Sequence, residues 1–342
     1  MDIPFQYLHR SLLGSLPERI RNVIERRFGL EKKTRETLES IGRSYGVCRE
    51  RIRQIEKAGF SFIKKEIQKP SYQKVFHYFV QHFRKNGNLK REDLLLAQFP
   101  SSQLQNQALF WLVVGEPFLR FPETENLYPL WTIDAKSVDL AKDVIGNFIT
   151  ELEKEKRPFS LKEITQIFKR NFGDFKKISS SVLLSYLEIS KEIEQNYEGL
   201  FGLKKWPEIY PKGIKDKAYI VLKKAGRPLH FTAVAEQINK LNLNSQKPAL
   251  PQTVHNELIR DPRFVLVGRG IYALGEWGYI PGQVRDIIVE ILRQEKRPPS
   301  KEEIIEKVLS QRLVKENTIL LNLQNKKYFL KDSQGKYILR EA

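Results

Sequence analysis

Apolar positions along this 342-residue chain recur mostly at the three-to-four-residue spacing of helices, interrupted by short apolar stretches that close on glycine or asparagine. Between residues 49 and 63, Ile52, Ile55, Gly59 and Phe62 fall within a narrow arc at 100° per residue. Arg49, Glu50, Arg53, Gln54 and Lys57 fall on nearly the opposite side. Just upstream, TLESIGRSYG (37–46) reads as a shorter helix, with Thr37 as its N-cap and Leu38, Ile41 and Tyr45 as its inward stripe. Gly46 then supplies a tight turn before the next helix begins near Cys48. Helix, glycine turn, basic amphipathic helix is the helix-turn-helix pattern.

Beyond residue 70 the pattern repeats. Residues 144–170, 218–240 and 284–310 each give an amphipathic helix, an Arg-Pro break and a second helix. Each is followed by a third helical stretch and a strand pair, at 192–206, 264–277 and 328–340. Asn196, Gly268 with Gly270, and Gly335 mark the hairpin turns. Such a unit is a winged helix. A degenerate copy is expected between these and the N-terminal unit, with two helices around Asn86-Gly87 and a third helix and hairpin over 107–133. Its wing is interrupted by Pro117, Pro122 and Pro129. The expected fold is therefore mainly α: a helix-turn-helix domain (1–70), then tandem winged-helix domains with small β-hairpin wings at 71–135, 136–210, 211–281 and 282–342. The aromatics Phe76, Tyr78, Phe79, Phe83, Phe110 and Trp111 stand at helical spacings that suit a core.

Charge narrows the choice of partner. The chain has 59 Lys and Arg against 41 Asp and Glu, a formal +18, which favours a polyanion, nucleic acid first. Solubility or an anionic membrane surface is the alternative reading. Residues 1–70 hold 16 basic and 9 acidic residues, a net +7, leaving +11 for a stretch nearly four times as long. The third helices at 250–264 and 315–327 are lean in arginine, the first offering Arg260 and Arg263. Charge density thus points to the N-terminal unit as the main DNA reader, with the repeats divided between backbone contacts and protein docking.

The chemistry of the exposed face at 49–54 fits base reading. Arg can donate two parallel hydrogen bonds to guanine, Gln can pair with adenine, and Glu can accept from the cytosine amine. The alternative is a solvated helix whose arginines merely flank Glu50 and Glu56. The residues LPERIRNVIERRFGL (16–30) and TLESIGRSYGVCRERIRQIEKA (37–58) resemble region four of the major bacterial sigma factors, over residues 11–66. The resemblance implies binding to double-stranded promoter DNA at a −35-like element and association with RNA polymerase core at its flap. By motif position it assigns base contacts to Arg49, Glu50, Arg53 and Gln54, and backbone contacts to Arg19, Arg27 and Thr37; Lys57, on the same face as the base readers, is a further backbone candidate. The chain departs from the family at Cys48, where Thr is usual, and at Ala58 and Ser61, where basic residues are usual. About ten residues precede the match, so a promoter-melting domain is not expected upstream, and transcription driven by another sigma factor is the expected target.

GRPLHFTAVAEQI, TVHNELIRDPRFVLVGRGIYAL and Trp277 resemble the HARE-type helix-turn-helix over 214–279. That family's winged helices occur in the delta subunit of bacterial RNA polymerase, in chromatin proteins and beside restriction enzymes.

Enzymatic readings find little support. His9, His77, His82, His230 and His255 lack metal-ligand spacing, and the single cysteine allows neither a disulfide nor a thiolate cluster. No glycine-rich phosphate loop or nucleophile elbow occurs. Glu31-Lys32-Lys33 has a nuclease-like spacing but falls in a loop. No catalytic residue, cofactor, metal or small-molecule substrate is expected. The longest apolar run, ALFWLVV (108–114), is too short to span a bilayer. With no apolar signal core at the N-terminus, a cytoplasmic, nucleoid-associated protein is expected. The expected function is a transcription regulator that binds promoter-like duplex DNA and associates with RNA polymerase. Two alternatives stand beside it: a polymerase-docking competitor of a sigma factor that reads no sequence, and an accessory DNA module of a restriction or chromatin system.

Overall fold

The computed structural model describes residues 5–31, 34–171, 178–241 and 247–340 and divides the chain into two compact units, 1–204 and 205–342. The described residues form sixteen α-helices and eleven strands of two to five residues, so the fold is mainly α.

The first unit opens with α1 (Phe5–Gly14), α2 (Glu18–Phe28), α3 (Leu38–Tyr45) and α4 (Arg49–Glu66). Thr37 caps α3, its hydroxyl oxygen accepting the Ser40 N–H at 3.1 Å. Gly46 ends α3 at φ +65°, a left-handed conformation that turns the chain into α4 without a Cβ clash. Val23, Ile41, Ile52 and Ile55 form a small core under the turn. Where α2 crosses α4, a Cβ on Gly59 would come within 2.5 Å of the Ile24 side chain, so the two backbones approach closely only because that position is glycine. The last turns of α4 differ from expectation. Phe62 is 51% exposed and Ile63 is fully buried. The cause is that the second half of α4 faces a different core from the first.

That second core is shared. It joins Leu12, Leu13, Ile24, Phe28, Ile63 and Ile67 of the N-terminal helices to α5 (Pro70–Lys85) and α7 (Ser102–Val114). Phe110 meets Phe28 edge-on at 5.5 Å, and Trp111 meets Phe76 at 5.7 Å. The sequence places a boundary at residue 70; the apolar packing continues across it. The aromatics expected to pack do so: Phe76, Phe79, Phe83, Phe110 and Trp111 are buried and Tyr78 is partly buried.

The first winged helix is completed by β1 (Leu89–Arg91), α6 (Glu92–Leu96), β2 (Leu119–Phe121) and β3 (Leu130–Thr132), all antiparallel, in the order β1-β3-β2. The second runs α8 (Ala135–Glu155), β4 (Phe159–Ser160), α9 (Leu161–Asn171), α10 (Ser180–Glu188), β5 (Ile193–Gln195) and β6 (Leu200–Leu203), ordered β4-β6-β5. Its helix α10 packs on the first winged helix. Tyr186 donates to the Gly87 carbonyl at 3.1 Å, Ser185 to Asn86 at 3.1 Å, and Lys90 pairs with Glu188.

In the second unit the same order recurs as α11 (Gly213–Ala225), β7 (Leu229–His230), α12 (Phe231–Lys240), α13 (Pro251–Arg260), β8 (Phe264–Gly268) and β9 (Ile271–Leu274). His230 is the N-cap of α12 and stacks beside Phe231, as its expected structural role implies. The last copy has α14 (Val284–Gln294), α15 (Lys301–Gln311), α16 (Glu316–Leu323), β10 (Phe329–Lys331) and β11 (Tyr337–Leu339), with a two-stranded sheet. The repeat is visible in detail at the Arg-Pro breaks. Ser160 with Glu163 and Ser300 with Glu303 make reciprocal caps, and Arg157 and Arg297 each reach the Glu six residues on, at 2.9 and 3.0 Å.

Because Phe110 fills a core common to α2 and α5, Phe110→Ala is expected to cost about 3–5 kcal/mol. It should lower amide hydrogen-exchange protection in both helices together. Protection lost in α5 with α2 unchanged would show two independent cores.

Candidate nucleic-acid interface

The helix-turn-helix is braced from below. Arg26 of α2 donates to both carboxylate oxygens of Glu36, at 2.8 and 2.6 Å, and to Ser44 at 2.7 Å. Tyr45 donates to Asn22 at 2.9 Å, and the Arg19 guanidinium lies 5.3 Å from the Tyr45 ring. These bonds fix α3 against α2, and α3 in turn carries the turn that aims α4.

The face of α4 that is turned away from both cores is polar. Arg49, Glu50, Arg53, Gln54 and Lys57 are all exposed, on consecutive turns of one helix. Two internal pairs occupy this face: Arg53 with Glu50, bidentate at 2.8 and 2.6 Å, and Arg51 with Gln54 at 3.1 Å. Arg53 holds the Glu50 carboxyl below the usual carboxylate range, with Arg49 adding to it. So the salt-bridged surface helix that the sequence also allows is present. Magnitudes decide between the two readings: an exposed i,i+3 ion pair is worth about 0–1 kcal/mol, whereas a bidentate base contact is worth about 1–3. Exchanging one for the other is downhill, and the pairing holds the side chains ordered until then.

The backbone candidates differ among themselves. Arg19 and Lys57 are exposed. Thr37 accepts its cap bond and keeps its hydroxyl proton to donate. Arg27 is half-buried and committed to the fold, donating to the Glu36 carbonyl at 3.0 Å and lying 3.4 Å from Glu56 of α4. Sequence position alone does not distinguish Arg27 from the others; the nearby Glu56, one turn beyond Ile52 on α4, is the only hint of its second role.

The winged helices place their third helices very differently from one another. In α7, residues 106–112 are buried throughout, and α10 is covered by the first winged helix. Neither can enter a groove. In the second unit α13 exposes Gln252, Thr253, Asn256 and Arg260. Arg263, expected to add a cation there, lies beyond the helix end, bound by Asp216 at 2.8 Å and Asp261 at 2.7 Å. Two carboxylates neutralise it, and the cationic density of α13 is lower than the sequence implies. Among the described residues no cluster of three His, Cys, Asp or Glu could hold a metal, and no helix is long and apolar enough to cross a membrane. Glu31 pairs with Arg10 at 3.1 Å; Lys32 and Lys33 lie outside the described residues.

Two outcomes are expected. The Cys48 thiol makes no cap bond to α4, so Cys48→Thr should stabilise the first unit by about 1 kcal/mol, read by denaturant unfolding. No gain would mean that the cap position is already satisfied by solvent. In the second unit, hydrogen bonds from Arg263 hold the Asp261 carboxyl below its usual range. Its contribution to stability is then full above the unfolded carboxylate pKa and is lost as pH falls through the depressed folded value. Asp261→Asn should flatten that acid-side loss in thermal melts.

Comparison with known proteins agrees with this geometry. The sigma-70 region 4 family matches residues 12–65, and the HARE-HTH family, described as an ASXL and restriction endonuclease HTH domain, matches residues 213–277. The RNA polymerase sigma factor SigA of Listeria monocytogenes is 53% identical over 45 residues, 13% of this chain and 12% of that protein. The RNA polymerase principal sigma factor HrdD of Streptomyces griseus is 41% identical over 54 residues, 16% of each. The chain thus spans less than a fifth of the curated relatives it matches. It carries a sigma-70 region 4 helix-turn-helix at residues 12–65 and a HARE-type helix-turn-helix at 213–277.

Proposed function

We propose that this chain is a transcription regulator that binds duplex DNA sequence-selectively, with α4 in the major groove of a −35-like promoter element. The observation that carries this reading is the exposed face of α4. It sets Arg49, Glu50, Arg53 and Gln54 at the N-terminal end of a long helix whose opposite face is locked into two cores. In this reading Arg49, Glu50, Arg53 and Gln54 contact bases, and Arg19, Thr37 and Lys57 contact phosphates. Arg27 keeps its remaining N–H donors for a phosphate while holding α2 to α4. The matched relatives are RNA polymerase sigma factors by name, which supports RNA polymerase core as the protein partner.

A docking regulator that reads no sequence is less well supported. The apolar side of the N-terminal helices is already covered by α5 and α7, whereas the polar side of α4 is open. Selection from randomised duplex DNA by the full chain separates the two readings: an enriched motif supports sequence reading, and its absence supports docking alone.

Arg53→Ala and Gln54→Ala are each expected to lower preference for the selected site by about 5- to 150-fold, the equivalent of 1–3 kcal/mol, while much of the salt-sensitive affinity remains. Arg19→Ala and Lys57→Ala should weaken every duplex alike and flatten the salt slope by about one each. Equal weakening on all sequences by all four variants would remove the base-reading assignment.

A further inference from the structure

The fourth winged helix is finished differently from the other three. In those, a short strand (β1, β4 or β7) lies beside the last strand of the hairpin. Here Pro298-Pro299 stands in that place and accepts one hydrogen bond, from the Tyr337 N–H to the Pro299 carbonyl at 3.0 Å. Two prolines have no N–H with which to extend the ladder, so the sheet stays at two strands.

In the same winged helix a groove runs between α16 and the hairpin. Its floor includes Leu320, Leu323 and Leu330, and its rim carries Lys301, Lys326 and Lys331. Leu330 is 38% exposed, and Leu321, next along α16, is 67% exposed. Among the described residues no carboxylate lines the groove. The Lys301 ammonium lies 3.4 Å from the Glu302 carboxylate, and both side chains are largely exposed. The Lys331 ammonium lies 5.2 Å from the Tyr337 ring.

We propose that this groove docks an acidic, amphipathic segment of a protein partner. The two halves of the groove ask for different chemistry. An apolar floor is stabilised by leucine-like side chains, and a lysine rim by carboxylates flanking them. A segment with apolar residues at helical spacing and Asp or Glu beside them supplies both. A nucleic-acid backbone supplies charge alone and would lay phosphates against leucine. Lysine also lacks the planar fork with which arginine grips phosphate bidentately.

The test is selection of a random peptide library on the full chain, with Lys326→Glu/Lys331→Glu and Leu330→Asp as separate comparison proteins. These side chains are exposed at the surface, and unchanged unfolding transitions of the variants confirm intact folding. Peptides enriched on the natural chain should be net acidic with paired apolar residues. They should bind the double charge reversal about tenfold more weakly or worse in fluorescence anisotropy, and Leu330→Asp likewise. Enriched peptides without acidic residues, or ones that bind all three proteins equally, would overturn the proposal. So would failure to enrich any peptide that distinguishes them. A fall in duplex DNA affinity on Lys326→Glu/Lys331→Glu, with the salt slope flattened, would instead place the groove on a DNA path.

Discussion

The first unit depends on one apolar helix. The helix α7 carries Phe110 and Trp111 into a space bounded by α1, α2, α4 and α5, and it is the burial of those side chains that turns a small helix-turn-helix into part of a larger body. The four-residue core beneath the turn is too small to hold three short helices in register alone. Burying an aromatic side chain contributes about 1.5–3 kcal/mol, and several are buried here. The aim of α4 is thus set from behind, by packing, and from below, by the Arg26–Glu36 pair.

This arrangement divides labour among similar modules. All four winged helices share an element order, yet their third helices meet different fates. One is sunk in the shared core, one is sealed onto its neighbour through Tyr186 and Ser185, and two keep exposed polar faces. Architecture alone would give all four the same role. What separates them is which side chains cover each helix.

Much of this is legible in the sequence because it is local. The helix-turn-helix is written in Thr37, Gly46 and the phase of Ile52 and Ile55; the hairpins are written in Asn196, Gly270 and Gly335. The first strands of the winged helices are not legible, since two or three residues are too few to display an alternating pattern. Nor is the continuity of the core across residue 70, which depends on contacts between residues far apart in sequence. The polar side chains of α10 read as solvated until Asn86 and Gly87 are brought against them. Arg263 misleads for a similar reason: Asp216, 47 positions away, takes its charge.

The burial of α7 also limits what this chain can become. A cation introduced at position 108 or 110 would enter a space enclosed by apolar side chains, at a cost of several kcal/mol against a total stability of about 5–15. Natural variation cannot readily turn α7 into a second reader of nucleic acid. The exposed positions of α13 and α16 carry no such penalty, and a single substitution there would test a new contact without endangering the fold. New binding specificities in descendants of this sequence should therefore arise in its C-terminal half, while the N-terminal half drifts only along the α4 face.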